Sequence, residues 1–158
     1  MKPYQGVCFD FDYTLGDSTD SIVAGFQYGL TQMGWPSPDR EAVKATIGYL
    51  LEDAYTMLTG DSDPARRAQF RPLFLSIAKP RQKEETVLYD GAVELFRGLH
   101  SKGIQVSIVS TKSRDTIESI MERYGLSHTL TTVIGTEDVH KPKPDPQGLN
   151  TALERMGL

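Results

Sequence analysis

Hydrophobic residues follow two different periods along the chain and so predict two kinds of structure. Short runs rich in apolar and β-branched residues at 7–9, 104–109 and 130–134 are typical of buried strands. From residue 17 to about 80, apolar residues recur only at helical spacing, and no strand is predicted there. From residue 87 onward, predicted helices alternate with strands. This order predicts an α/β fold in which a parallel sheet with right-handed crossovers carries an all-helical insertion after its first strand.

Capping residues, glycines and prolines set the predicted helix boundaries. In the insertion, helices are expected to begin after Asp17 or Ser18, at Ser37-Pro38, at Leu51 and at Asp63-Pro64, and to end at Gly34, Gly48, Gly60 and before Pro80. The charged residues 81–85 are predicted to be a solvated connector. Later helices are expected to begin at Asp90, Ser113 and Asp145-Pro146, the last with Leu149, Leu153 and Met156 facing inward. Residues 1–16 and 87–158 are thus predicted to form the core, and residues 17–86 a small domain over the carboxyl edge of its sheet.

The composition narrows the range of functions. A formal net charge of −4 offers no basic surface for nucleic acid. No apolar run reaches the roughly 20 residues that a membrane-spanning helix needs. A single cysteine, Cys8, excludes an internal disulfide and favours a cytoplasmic location. Residues 1–4 lead directly into the first predicted strand, so no signal peptide is expected.

Two carboxylates follow the first predicted strand. Asp10 and Asp12 are spaced i, i+2, so an extended backbone projects both to the same side. They would lie at the carboxyl end of a parallel strand, where open α/β sheets bind ligands. Two ionised carboxylates about 4 Å apart repel by roughly 1 kcal/mol in water and about 4 kcal/mol at a protein-like dielectric. A metal cation, a lysine or a shared proton must therefore offset the repulsion.

Complementary groups follow the other two predicted strands. Ser110 and Thr111 come directly after the second strand and before a capped helix, where hydroxyl and backbone N–H groups suit a phosphate oxygen. After the third strand, prolines on alternate residues stiffen residues 141–146. Such a loop could hold one lysine aimed inward, against the acid pair. The set of acids, hydroxyl and cation predicts a site for a phosphorylated ligand.

Residues 10–15, Asp-Phe-Asp-Tyr-Thr-Leu, resemble the first motif of the haloacid dehalogenase superfamily. Ser110 matches its second motif, and Lys141, within Lys-Pro-Lys-Pro-Asp-Pro, matches its third. The helical insertion resembles the cap of the phosphoglycolate phosphatase and β-phosphoglucomutase-like branch, and the similarity covers essentially the whole chain in the right order. The chain departs from the pattern at Tyr13, where this branch usually has glycine, and at Gly16.

The resemblance implies a Rossmann-like core and an Mg²⁺-dependent phosphohydrolase of small phosphorylated metabolites. Asp10 would be the nucleophile that forms an aspartyl-phosphate, and Asp12 the general acid and base. Ser110, Thr111 and Lys141 would hold the phosphoryl oxygens. The Asp10 carboxylate and the Asp12 backbone carbonyl would bind Mg²⁺. For substrate specificity, Gly48, Tyr49 and Arg71 of the predicted cap are the candidates.

The family's fourth motif, an acidic Gly-Asp…Asp cluster after a fourth strand, has no counterpart in the sequence. Three strands are recognisable and the fourth and fifth are missing, so we expect a chain truncated before the fourth motif, with impaired activity. The missing fourth strand would lie beside the first, whose exposed edge would then favour self-association.

Three other interpretations remain open at this level. The chain could be a non-catalytic remnant that binds phosphate or a partner chain. A phosphomutase of the same family shares all three motifs. A phospho-accepting receiver domain also uses acids, a hydroxyl and a lysine at strand ends, but it needs its acceptor aspartate after the third strand. This chain has Ile134-Gly135 there, so the receiver is disfavoured.

Overall fold

A computed structural model describes residues 4–158, so residues 1–3 of the predicted core lie outside the described range. The described chain divides into two units. The first comprises the residues up to Asp17 together with Val87–Leu158, and the second comprises Ser18–Thr86.

Five strands and seven α-helices make up the described chain. The strands are β1 (Gly6–Phe9), β2 (Gly16–Asp17), β3 (Val87–Leu88), β4 (Gln105–Val109) and β5 (Thr132–Ile134). The helices are α1 (Thr19–Gln32), α2 (Arg40–Lys44), α3 (Leu51–Thr59), α4 (Pro64–Glu85), α5 (Ala92–Ser101), α6 (Arg114–Arg123) and α7 (Gln147–Met156).

A parallel three-stranded sheet of order β1-β4-β5 forms the centre of the first unit. Phe9 lies opposite Ile108, and Val109 lies opposite Ile134, so the three strands end at the same edge. β4 is central, and its residues from Val106 to Val109 are buried. Val106, Ile108 and Val109 supply β-branched apolar side chains to this strand, which explains why the sequence predicted it well. The α/β fold is confirmed.

A short antiparallel ribbon of β2 and β3 was not predicted from the sequence. Gly16 pairs with Leu88, and Asp17 pairs with Val87. Two-residue strands are too short to produce a recognisable period, so no sequence pattern indicated them. The ribbon stands at the junction where the chain leaves the first unit and returns to it.

In the second unit, α1 and α4 pack closely through small residues. A Cβ added at Gly25 would lie 2.7 Å from the Ala78 Cβ, and one added at Gly29 would lie 2.6 Å from the Phe70 ring. The aromatic rings of Phe26, Phe70 and Phe74 pack against one another, tilted or edge to face, in the space that these glycines leave. The unit therefore has its own apolar core.

Several predicted helix boundaries are wrong. Helix α4 continues through Pro80 to Glu85, because residues at spacing four along it are buried and hold it in place: Phe70, Phe74, Ala78 and Gln82. The predicted connector at residues 81–85 is the last turn of that helix. Asp39 caps α2 in place of Ser37, because its carboxylate accepts the N–H groups of Glu41 and Ala42.

Two further corrections concern the first unit. The residue at the N-cap of α5 is Gly91, with φ of 85°, whereas Asp90 had been predicted as the cap. In α7, Leu149 and Leu153 are exposed, and the buried face carries Gly148, Ala152 and Met156. No helix in the described range is both long and apolar enough to cross a membrane.

Candidate active site

Asp10 is the first residue after β1 and stands at the edge where the three parallel strands end. Its Oδ1 accepts a hydrogen bond from the Phe11 backbone N–H (2.7 Å) and lies 2.9 Å from the Lys143 ammonium. The side chain is 45% exposed. Among the described residues, both polar contacts of this carboxylate fall on Oδ1, so Oδ2 is left to face a ligand.

A tight turn fixes the residues after Asp10. The carbonyl of Phe11, a fully buried residue, accepts the N–H groups of Thr14, Leu15 and Gly16 at 3.1, 2.9 and 3.3 Å. The N–H of Tyr13 donates to the Gly16 carbonyl at 3.0 Å. The buried ring therefore anchors a turn that begins between the two acids and holds them at one strand end.

Asp12 is much less exposed than Asp10, and its environment favours the protonated carboxyl. Its side chain is 12% exposed, and the Lys112 ammonium lies 3.2 Å from its Oδ1. Oδ1 is buried and has no hydrogen-bond partner beyond this ion-pair contact in the described structure. Burial raises the pKa of Asp12, the Lys112 charge opposes the rise, and the neighbouring Asp10 adds to it. A carboxyl with a raised pKa can donate a proton near neutral pH.

Ser110 and Thr111 lie where the sequence predicted, directly after β4 at the same sheet edge. Ser110 is buried, its N–H donates to the Ile134 carbonyl (3.0 Å), and its Oγ accepts the N–H of Lys112 (3.1 Å). Thr111 is half-buried. Since β4 is the neighbour of β1, the serine hydroxyl and the acid pair share one edge of the sheet.

The lysine that reaches Asp10 is Lys143, whereas Lys141 had been predicted. Lys143 also lies 3.4 Å from the Val109 carbonyl, at the end of the central strand. The Lys141 side chain is exposed, and its backbone N–H donates to Gln147 Oε1 at 2.7 Å. Gln147 also accepts the N–H of His140, so the start of α7 holds this end of the loop. The loop comes to the sheet edge at Lys143, two residues after Lys141.

Lys112 is the second cation that the sequence analysis missed. Its side chain is 5% exposed, and its ammonium stands 5.8 Å from the centre of the Phe11 ring as well as beside Asp12. Lysines are rarely buried unless they are paired, so a lysine before a helix is expected in solvent. The signal that could have found it is its place directly after the Ser110-Thr111 pair.

The loop after β5 supports the loop after β4. The Glu137 carboxylate accepts the Arg114 N–H at 3.0 Å and so caps α6, while the predicted cap, Ser113, makes no capping bond. Asp138 accepts the Gly135 N–H at 2.9 Å and pairs with the Arg114 guanidinium. A Cβ at Gly135 would lie 2.3 Å from the Arg114 nitrogen. Only glycine leaves room for the two loops to approach so closely.

The donors at the end of β1 are of the kind that Mg²⁺ prefers. Carboxylate and carbonyl oxygens are hard ligands, and Mg²⁺ usually takes one or two carboxylates together with water and substrate oxygens. The half-exposed Asp10 carboxylate and the backbone carbonyl of Asp12, two residues further on at the same strand end, are donors of this kind. In the described chain, no group of three or more His, Cys, Asp or Glu side chains comes together as a complete metal cage.

The residues predicted to determine specificity lie in the second unit. Gly48 has φ of 104°, and the neighbouring Tyr49 is exposed. Arg71 donates to Glu52 Oε1 at 2.7 Å, so its guanidinium already has an anionic partner on α3. Gly48 and Tyr49 are exposed within their unit, and Arg71, although its side chain is 41% exposed, is engaged in this ion pair.

The sequence matches the family model described as "Haloacid dehalogenase-like hydrolase" over residues 7–158. It is 30% identical to the "Probable phosphatase IndB" of Dickeya dadantii (99% of this chain, 69% of the relative). It is 27% identical to the phosphoglycolate phosphatase of Vibrio cholerae (100% and 73%). A solved structure from Bacteroides fragilis, a "Putative haloacid dehalogenase-like hydrolase", superimposes with a TM-score of 0.92 at 34% identity (98% and 74%). These matches confirm the resemblance inferred from the motifs.

Proposed function

Because the chain belongs to the haloacid dehalogenase-like hydrolase family, we propose that it hydrolyses small phosphorylated metabolites through an aspartyl-phosphate on Asp10. One observation carries the proposal: two carboxylates at one strand end stand in unlike environments, each beside its own lysine. Asp10 is half-exposed, and Asp12 is buried with a raised pKa. Paired acids that differ in this way suit a nucleophile and a proton donor.

In the first step, Asp10 Oδ2 attacks phosphorus, and the bond between phosphorus and the leaving oxygen breaks. The protonated Asp12 carboxyl gives its proton to that oxygen, and the alcohol leaves. In the second step, Asp12, now ionised, takes a proton from a water molecule, which attacks phosphorus. The Asp10–phosphorus bond breaks, inorganic phosphate leaves, and both carboxyl groups return to their starting states.

The phosphoryl oxygens would be held by the groups that follow β4 and β5. Lys143 already faces Asp10 at 2.9 Å and would turn part of its charge toward the incoming phosphate. The Ser110 hydroxyl and the backbone N–H of Thr111 are donors at the same sheet edge. Lys112 would keep the Asp12 carboxyl in place through their 3.2 Å contact.

Mg²⁺, when bound, would supply neutralisation of the negative charge between Asp10 and the phosphate. The Asp10 carboxylate and the Asp12 backbone carbonyl would hold it. Because the described residues bring no third acidic or imidazole ligand to this point, we propose that the 158-residue chain by itself binds Mg²⁺ weakly and turns over slowly.

We further propose that residues 17–86, which include the second unit, act as the cap that selects the substrate, with Gly48 and Tyr49 as accessible candidates. The cytoplasmic location expected from the single cysteine stays a prediction. Among the described residues, β1 pairs only with β4. Its other edge is therefore the place where we propose that two copies associate, since unpaired strand edges favour such contacts.

The test is hydrolysis of 4-nitrophenyl phosphate with and without Mg²⁺, for the wild type and Asp10→Asn. We expect slow turnover that needs Mg²⁺ and that falls at least a hundredfold in the variant. Turnover that survives in Asp10→Asn would contradict the proposed nucleophile. Phosphate transfer to an added sugar hydroxyl in place of water would indicate a mutase.

A second candidate function is a non-catalytic phosphate-binding protein. The observation that favours it is the lack of a three-ligand metal cluster in the described part of the chain. In that case, inorganic phosphate would bind to the wild type in the absence of Mg²⁺, and no Mg²⁺ concentration would produce turnover.

A further inference from the structure

Tyr13 occupies a backbone conformation that suits glycine. It follows Asp12 directly and has φ of 60°. Among the described residues it is the non-glycine residue with a positive φ. L-residues with bulky side chains rarely adopt this region because the Cβ approaches the backbone too closely. The resemblance to the family also leads one to expect glycine at this position.

The surrounding turn imposes this conformation. The Tyr13 N–H donates to the Gly16 carbonyl, and the next residue, Thr14, donates back to the Phe11 carbonyl. Burial of the ring offers little compensation, since Tyr13 remains 42% exposed. Residues held in such sparsely populated backbone regions cluster at active sites, ligand clamps and switch regions.

A second tyrosine stands beside the first. The N–H of Tyr89 donates to the Leu15 carbonyl at 2.9 Å, which attaches it to the same turn, and Tyr89 is 41% exposed. Burial and the nearby Asp17, Tyr13 and Asp12 raise the pKa of Tyr89. Two partly exposed tyrosines thus belong to the turn that directly follows the proton donor.

The charges around these rings disfavour an anionic ligand. Lys112 faces Asp12 and Lys143 faces Asp10, so each nearby cation already has a partner in the acid pair. Asp17 adds a further negative charge beside Tyr89. A leaving group next to the tyrosines would therefore meet aromatic side chains and the negative charge of Asp17, which suit an uncharged ring and repel a second anion.

We propose that Tyr13, together with Tyr89, contacts the leaving group and selects phosphate monoesters whose leaving group is an uncharged ring, such as an aryl or sugar ring. The proposal rests on the proposed function, because it assumes that Asp12 protonates the leaving oxygen. It makes Tyr13 a specificity-determining residue that accepts backbone strain in order to present its ring.

The test measures binding without turnover. Three proteins would be compared, all carrying Asp10→Asn: one with Tyr13 retained, one with Tyr13→Asn and one with Tyr13→Phe. For each protein, calorimetry would give the Kd of 4-nitrophenyl phosphate, pyrophosphate and inorganic phosphate. Asparagine tolerates the left-handed region, so it removes the ring without disturbing the turn. Phenylalanine keeps the ring and removes only the hydroxyl.

We expect Tyr13→Asn to raise the Kd of the aryl phosphate about tenfold, while the Kd values of inorganic phosphate and pyrophosphate change by less than about twofold. In Tyr13→Phe, the Kd of each of the three ligands should stay within about threefold of its value with Tyr13 retained. Equal weakening of all three ligands, no weakening of any, or no measurable binding of the aryl phosphate before substitution would overturn the proposal. The proposed hydrolysis fails on a different result, namely wild-type turnover that is absent or independent of Asp10.

Discussion

Removal of Lys143 should weaken phosphate binding and catalysis, whereas removal of Lys141 should do neither. The Lys143 ammonium lies 2.9 Å from Asp10 Oδ1, with side chains 36% and 45% exposed. At an effective dielectric of about 20, two charges at this separation attract by roughly 6 kcal/mol before solvent screening. Because both groups are partly exposed, the contribution to folding stability should be only about 1 kcal/mol or less.

Loss of Lys143 should affect catalysis more than folding stability. A bound phosphate displaces water from the site, so its charge interacts with the ammonium with less screening by solvent. Loss of one preorganised charged donor typically costs about a hundredfold to a thousandfold in rate, roughly 3–4 kcal/mol. We therefore expect Lys143→Ala to lower kcat for 4-nitrophenyl phosphate by at least about a hundredfold.

Lys141→Ala is the matched control, since it removes the same side chain two residues away. It should leave kcat within about twofold, with inorganic phosphate bound as in the wild type. Unfolding in urea would show whether either variant changes stability. A Lys141→Ala chain that loses activity while Lys143→Ala keeps it would refute the assignment made from the geometry.

Three further predictions concern stability in metal-free buffer, each measured by urea unfolding. The pKa of Asp12 is raised in the folded state, so folding strengthens the binding of the proton to this carboxyl. The protonated carboxyl therefore contributes to stability at low pH. That contribution is lost as the pH rises from the ordinary carboxyl range through the pKa of the folded state. The free energy of unfolding of Asp12→Asn should therefore rise relative to that of the wild type between about pH 4, near the ordinary carboxyl pKa, and about pH 7. A difference that stays constant over this range would contradict the prediction. Gly25→Ala should destabilise by about 1–3 kcal/mol, since its Cβ would lie 2.7 Å from Ala78. The matched Gly98→Ala, in α5 with open space around the added methyl, should stabilise by about 0.5–1 kcal/mol, and equal effects would contradict the packing argument. Gly135→Ala should destabilise by at least about 1–3 kcal/mol, because its Cβ would meet the backbone at the start of α6; an unchanged midpoint would show that the two loops can separate freely.

The sequence predicted the sheet and the acid pair because both depend on local patterns. A buried parallel strand needs a continuous apolar run, and residues i and i+2 at its end must share a side. The strand that ends at Phe9 and the pair Asp10 and Asp12 follow from these rules alone. The helical second unit was equally visible from its period.

The choice between Lys141 and Lys143 could not be made locally, since each lysine precedes a proline in the same short loop. It depends on the contact between Gln147 and the loop start and on the position of the β4 carboxyl end, both of which are tertiary features. The burial of Lys112 has the same origin. Its partner, Asp12, lies 100 positions away in the chain but next to it at the sheet edge.

Helix α4 was predicted to end before Pro80 because proline removes a backbone donor and usually breaks a helix. Packing of its buried face against α1 overrides that local preference. The prediction that Leu149 and Leu153 face inward followed the apolar period of α7, but the smaller residues Gly148 and Ala152 are the ones that face the sheet. Local propensity therefore set the elements, and tertiary packing set their ends and faces.

The most direct test of the central claim is to locate the phosphoryl group on the enzyme. Asp12→Asn would be mixed with Mg²⁺ and 4-nitrophenyl phosphate, whose good leaving group needs no proton donor, then quenched in acid, digested and analysed by mass spectrometry. The account predicts phosphate on Asp10, because the variant can form the aspartyl-phosphate but lacks the base that activates water. Phosphate on any other residue, or turnover with no phosphorylated peptide, would contradict it.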